Sequence, residues 1–260
     1  MGSKKNGSGK EGRDPEIYIG TSGWSYDHWV DLFYPDNLKK KEWFPYYTGH
    51  FNSVELNMSF YRYPFRNMLK GWKNKMPEDF KMTFKVNRRI THYKKFRDVE
   101  GDVNKFYDLT EMLEEHTGCM LFQTPPNFHN TGENREIIEQ FLHILRGDHD
   151  NVIEFRHPSW WDEKIKEVLH KYNVAFCTVS GLEMPSRVMT SADFAYFRFH
   201  GPGEAYASEY SEAQLGDWAE TIWDEIEGHH LRAVYCYFNN DNSGYAIANA
   251  KTLKKMLSRG

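Results

Sequence analysis

The sequence predicts an α/β protein: a single (β/α)8 TIM barrel of eight parallel strands. Three observations predict it. The chain has 260 residues, close to the length of about 250 that one such barrel needs. Eight short strand-like runs alternate with amphipathic helical patterns, as a parallel sheet with helical crossovers requires. The turn after the first run, GTSGWS, is not the GxGxxG of an open dinucleotide-binding sheet, and no GxxxxGK[ST] loop occurs, so a closed barrel fits better than an open sheet.

Residues 1–15 are rich in Gly, Ser and Lys and almost free of apolar side chains; they read as a flexible tail before one domain over 16–260. The strand-like runs are 17–21 (IYIGT), 53–57 (SVELN), 80–86 (FKMTFKV), 119–123 (CMLFQ), 152–156 (VIEFR), 174–179 (VAFCTV), 194–200 (FAYFRFH) and 233–239 (AVYCYFN). Each is a short apolar or alternating stretch rich in β-branched or aromatic residues. Helical periodicity is clearest over 100–116, 133–146, 161–172, 211–227 and 244–258. Ser211 and Gln214 have capping-box spacing at the start of the fourth helix. The stretch 181–193 carries Pro185 and little periodicity, so the helix between strands six and seven is expected to be short or missing.

Alternation then sorts the side chains. In a barrel strand, successive residues face the helices and the interior in turn. The apolar phase sends Val54, Leu56, Met82, Phe84, Met120, Phe122, Ile153, Phe155, Phe197, Phe199, Val234, Cys236 and Phe238 under the helices. The other phase sends Glu55, Asn57, Lys85, Gln123, Glu154, Arg156, Tyr196, Arg198, His200 and Asn239 inward. Most of these polar residues fall at the C-terminal ends of their runs, where barrel enzymes keep their chemistry.

This inward set suggests roles. Glu55 and Glu154 read as general acid and base, with His200 as a third catalytic candidate. Lys85, Arg156 and Arg198 outnumber the two carboxylates, which predicts a cationic mouth that binds a phosphate, a carboxylate or a sugar-like molecule. Asn57, Gln123, His157, Tyr196 and Asn239 would add hydrogen bonds. Trp24 and Trp160, with Tyr26, Trp161 and Tyr206, would supply stacking surfaces at the rim. The segment Asn239 to Gly244 suits either a phosphate at the following helix N-terminus or an ordinary turn and cap. Against all of this stands a purely structural reading, in which the charges pair as a lattice that plugs the barrel; such pairs rarely gain over apolar packing.

Composition bounds the alternatives. Lys and Arg number 33 against 37 Asp and Glu, a formal charge of −4, which argues against coating nucleic acid through bulk charge. The short basic runs Lys39-Lys40-Lys41 and Lys94-Lys95 with Arg97 leave a nucleic-acid or protein-binding module as a lesser alternative. A divalent-metal isomerase or phosphodiesterase is another, with Glu55, Glu154, His200 and His157 as donors, although Arg156 and Arg198 would crowd a cation. No cofactor is required. The mean hydropathy is −0.75, and no apolar run approaches membrane length. The N-terminus has no apolar signal core, and three isolated cysteines without a CxxC motif fit a reducing, cytoplasmic setting. Aromatic residues make up 16% of the chain, more than a core alone obviously needs.

The motifs at these positions resemble the DUF72 (YecE-like) family of uncharacterised TIM-barrel proteins. The pieces are IGTSGWSY (19–26), Trp43 with Phe44, Tyr46 and Tyr47, VELNMSFYRYP (54–64), FKMTFKV (80–86), LFQTPPNF (121–128), EFRHPSW (154–160), YFRFHGP (196–202) and YFNNDNSGYAIANA (237–250). They span about residues 17–258 in order. The resemblance implies the barrel fold and points to Glu55, Asn57, Gln123, Glu154, Arg156, His157, Arg198, His200 and Asn239 as family-motif positions. It implies no reaction.

Overall fold

Parallel strands in two sheets form the centre of the fold. A computed structural model of the chain describes residues 14–258, so most of the expected tail, 1–13, lies outside the described residues. One sheet has the order β1 (Glu16–Thr21), β9 (Ala233–Phe238), β8 (Phe194–Phe199), β7 (Thr178–Ser180). The other runs β2 (Ser53–Leu56), β3 (Lys81–Lys85), β4 (Thr117–Gln123), β5 (Asn151–Glu154), β6 (Ala175–Phe176). All pairings are parallel.

Nine strand segments thus stand where eight runs were expected. The extra one comes from the sixth run, which is divided at Cys177: β6 pairs with β5 and β7 with β8. The chain changes sheets there, and a backbone that turns between partners cannot keep one continuous ladder. The Cys177 amide still donates to the Ile153 carbonyl of β5 at 2.9 Å.

The other seam, between β1 and β2, is closed mainly by side chains. Asn52 accepts from the Ile19 amide at 2.9 Å and donates to the Ile17 carbonyl at 2.7 Å, doing for β1 what a neighbouring backbone would do. The Tyr47 hydroxyl accepts from the Thr21 amide at 2.9 Å and donates to the Ser53 carbonyl at 3.0 Å. A single parallel bridge joins Ser22 to Glu55. Gly20 permits the close approach, because a Cβ there would lie 2.0 Å from the Ser53 carbonyl oxygen.

The helices are α1 (Lys40–Thr48), α2 (Met58–Tyr61), α3 (Arg66–Lys73), α4 (Glu100–Thr110), α5 (Gly132–Leu142), α6 (Glu163–Lys171), α7 (Glu212–His229) and α8 (Tyr245–Leu257). The expected helix over 100–116 ends at Thr110 and tightens into a 3-10 segment in which Glu114 has φ +52°. Ser211 and Gln214 make both bonds of the capping box. No helix forms over 181–193, as the missing periodicity predicts.

Two buried clusters follow the alternation. Every side chain assigned above to the helix-facing phase lies in the larger cluster. The smaller one lies between the sheets and is rich in tyrosine: Tyr18 stacks on Tyr235 with ring centroids 4.8 Å apart, and Tyr196 lies 5.3 Å from Tyr237. Buried hydroxyls need partners, and each has one. Tyr237 bonds Ser53 and Thr83, Tyr235 donates to Asp150, and Tyr18 donates to Glu16. Part of the aromatic surplus is therefore a polar-tipped interior in place of branched aliphatics.

Candidate functional site

At the C-terminal edges of the sheets the inward phase brings two carboxylates onto one guanidinium. Arg198 on β8 donates to Glu55 on β2 through Nε at 2.8 Å and Nη2 at 2.6 Å. Its Nη1 donates to Glu154, the last residue of β5, at 2.7 Å. All three side chains are buried, with Arg198 1% exposed and both glutamates 0%. Burial of such charges is tolerated only with near-complete pairing. Glu55 meets that condition through two further donors, Ser22 Oγ and the Tyr196 hydroxyl, both at 2.7 Å. Glu154 also accepts from Gln123 Nε2 at 2.9 Å and from Arg156 Nη1 at 3.2 Å. Burial alone would disfavour the ionised Glu154, but Arg198 and Arg156 outweigh it and hold this carboxyl far below the usual carboxylate range.

Around this saturated lattice stand polar groups only partly satisfied. His200, just past β8, is 0% exposed; its Nδ1 lies 3.3 Å from Asn239 Nδ2, and its Nε2 has no hydrogen-bond partner. With the Asn239 amide donating to Nδ1, the proton belongs on Nε2, which points toward Glu154 Oε1 at 4.0 Å. Burial and the neighbouring Arg198 keep this imidazole neutral, well below its ordinary pKa. Lys85 ends β3 half-buried, with its ammonium 4.3 Å from the centre of the Phe60 ring. Among the described residues it makes no ion pair or side-chain hydrogen bond. Burial, with Arg198 adding repulsion, lowers its pKa to about 8. Asn57 Oδ1 is also buried and unpartnered.

Most of the expected residues gather here: Glu55, Asn57, Lys85, Gln123, Glu154, Arg156, Tyr196, Arg198, His200 and Asn239. Their parts differ from the expectation. Tyr196 is 1% exposed and spends its hydroxyl on Glu55, so it supports the lattice from beneath. Trp160 is a correction: it is 0% exposed, stacked on Phe155 at 4.3 Å, and its indole donates to the Phe128 carbonyl. The three-residue turn at Pro158–Trp160 folds the ring back under the loop, so it presents no stacking surface. Trp24, 7% exposed, packs on Phe44 and Trp72 beside the site rather than over it. His157 stacks on His129 at 3.9 Å and bonds Ser159, which puts it among the loops at the edge.

In Asn239 to Gly244 the side chains of Asn240 and Asp241 are engaged away from the α8 N-terminus, and Gly244 is its N-cap with no side-chain bond. Asp241 accepts from the indole of buried Trp29, Asn240 donates to Ser208 and Asn249, and Gly244 takes φ +75° ahead of α8. The basic surface runs are offset by acids: Lys40 pairs with Asp27, Lys94 with Asp102 and Arg97 with Glu133. Among the described residues no three His, Cys, Asp or Glu side chains group as metal ligands. The glutamate oxygens that a cation would need are bonded to arginine.

One site residue escaped the sequence reading, and another takes a different part from the one it was given. His92 lies in a π-helical turn over Arg89–Tyr93, its ring 4.9 Å from Phe60. Burial and the nearby cations Lys85 and Arg156 lower its pKa to about 4. Tyr206, assigned only a rim role, accepts from Arg156 Nη2 at 3.2 Å and stands edge-on to His200. No strand periodicity reaches either position, so alternation could not find them.

Comparison with known proteins gives a consistent result. Residues 18–260 match the family model described as "Protein of unknown function DUF72". The chain is 27% identical to the UPF0759 protein YunF of Bacillus subtilis, over 93% of this chain and 94% of that one. It is 28% identical to the UPF0759 protein YecE of Escherichia coli, over 61% of this chain and 57% of that one. Among solved structures, a DUF72 family protein of Thermotoga maritima superposes with a TM-score of 0.85 at 32% identity, covering 94% of this chain and all of that chain. One from Enterococcus faecalis gives 0.81 at 20% identity, covering 94% and 96%, a likeness of fold.

Proposed function

We propose that this chain, which belongs to the DUF72 family of proteins of unknown function, is an enzyme that binds a small anionic or polyhydroxylated molecule and moves a proton on it. The observation that carries this reading is the contrast within the site. Arg198 and Glu55 are fully partnered, whereas His200 Nε2 is buried with no hydrogen-bond partner and Lys85 Nζ meets only the Phe60 ring. A structural plug would satisfy its own buried groups; unmet donors around a finished lattice suit a ligand.

The roles follow from the bonding. Arg156 is half-buried and holds Glu154 with one nitrogen and Tyr206 with another, so it can also face an anion at the cleft. Lys85, whose pKa burial lowers to about 8, can take or give a proton near neutral pH, and takes the acid–base role that the sequence suggested for the glutamates. His200 Nε2–H supplies a neutral, oriented donor. Glu154 and Arg198 set the field, and Glu55 positions Arg198. A two-carboxylate glycoside hydrolysis is not favoured, because Arg198 fills the space between the carboxyls where the glycosidic oxygen or the water would lie. The two sheets are read as the halves of one closed (β/α)8 barrel, joined at Cys177 and at the β1–β2 seam. Three buried free thiols suit a reducing compartment such as the cytoplasm.

A thermal-shift titration with inorganic phosphate, citrate and ribose 5-phosphate tests the reading. At least one should stabilise the native chain, and Lys85→Met and Arg156→Met should each remove the effect. Equal shifts in native and variant proteins, or no shift with any anion, would overturn it.

A further inference from the structure

Next to the anion site lies a cavity of about 450 Å³ that the roles above leave unused. Trp24 and Trp72 form one wall, edge to face at 5.1 Å, with Phe44 4.7 Å behind Trp24. Met68 adds a polarisable, adaptable contact, and Trp72 and Met68 are only half-buried. Lys41 and Lys75 stand at the rim, and no carboxylate lines the space. It abuts the charged lattice through Asn57, two residues beyond Glu55, and through Gly23, which follows the Ser22 that donates to Glu55.

We infer that this cavity takes the planar heteroaromatic ring of a ligand whose phosphate or other anionic group sits at Lys85 and Arg156. The inference deepens the anion-binding reading and rests on it. Three features select that class. Rigid aromatic walls favour a flat ring, which stacks with little loss of freedom. Asn57 lines the cavity, and its buried Oδ1 has no partner, an unused acceptor that calls for a ring N–H or an exocyclic amine. Its amide makes only a long 3.4 Å contact to the Ser22 carbonyl, so it can turn to meet that donor at small cost. The lysine rim and the absence of acids favour a negatively charged ligand, and the volume falls within the range of small-molecule sites, roughly 300–1,000 Å³.

The test compares the four nucleoside monophosphates with ribose 5-phosphate and with adenosine, by equilibrium dialysis and by quenching of tryptophan fluorescence. At least one nucleoside monophosphate should bind about tenfold or more tightly than ribose 5-phosphate, the range expected of one stacked base. Filling the space with Met68→Trp should abolish that advantage and leave ribose 5-phosphate binding unchanged. Trp72→Leu, which alters the half-buried side of the wall, should weaken it as well and guards against misfolding of the larger substitution. Lys85→Met should cut the affinity of both phosphates and spare the weak quenching by adenosine. No advantage of any ring-bearing phosphate over ribose 5-phosphate would overturn the cavity assignment while leaving the anion site standing. Adenosine binding as well as its monophosphate, with Lys85→Met silent, would instead overturn the anion site.

Discussion

Arg198 clasps Glu55 with a two-nitrogen fork, at 2.8 and 2.6 Å, across 143 residues of sequence. The same guanidinium holds Glu154 with its third nitrogen. This pairing ties β8 of one sheet to β2 and β5 of the other, which makes the lattice important to stability. Removing Arg198 leaves buried Glu55 with no cation beside it and Glu154 with Arg156 alone, a loss of about 3–5 kcal/mol for a broken buried pair. Urea denaturation of Arg198→Met should show that loss, and adding Glu55→Gln and Glu154→Gln should recover a good part of it.

Lys85 should behave in the opposite way. A half-buried ammonium with no anionic partner costs the fold, so Lys85→Met should lose anion binding yet match or exceed native stability, by up to about 2 kcal/mol. Its depressed pKa means that the unfolded chain holds more protons between about pH 8 and 10.5. Its contribution to stability therefore rises with pH across that window. Anion affinity should run the other way, falling above pH 8 as the amine deprotonates, and Lys85→Arg should move that break out of range. Isothermal titration at several pH values reads both.

Acid should unfold the protein through its histidines before its carboxylates. An unfolded histidine takes a proton below about pH 6.5, whereas His92 waits until about 4 and His200 is also held well below its ordinary value. The unfolded state thus binds the extra protons, and stability falls as pH drops from 6.5. Glu154, whose pKa is depressed, adds its own loss below the ordinary carboxylate range. Melting temperatures from pH 7.5 to 4 should decline, with a shallower slope in His92→Gln.

The β1–β2 seam should be intolerant of a single methyl group. Gly20→Ala places a Cβ against the Ser53 carbonyl oxygen, with the Tyr47 hydroxyl 2.8 Å away. Both groups belong to the seam's hydrogen bonds, so neither can move without breaking them. A destabilisation of about 2 kcal/mol or more is expected, measurable by thermal unfolding.

Trp160→Ala should cost roughly 3–5 kcal/mol, as for other large buried aromatics. Trp160→Phe should keep anion binding intact in the titrations above. A ligand effect without a stability effect would return Trp160 to the site.

Much of this protein is legible in one dimension. The two-residue pleat is local, so alternation alone sorted Val54, Leu56 and Phe84 from Glu55, Lys85 and Glu154, and placed the polar set at strand ends. Capping chemistry is local too, and Ser211 with Gln214 behaved as their spacing implied. The rest is non-local. Periodicity cannot say that Arg198 would saturate both glutamates and leave Lys85 and His200 unmet, because that depends on side chains brought together from four strands. Nor can it see that Trp160 folds under its loop, that His92 arrives on a π-helical turn, or that Trp24 and Trp72 enclose a cavity. Even the sixth run, continuous in sequence, divides at Cys177 because its two halves find different neighbours. Local geometry set which way each side chain faces, and the meeting of distant strands set which charges are satisfied and which remain to bind.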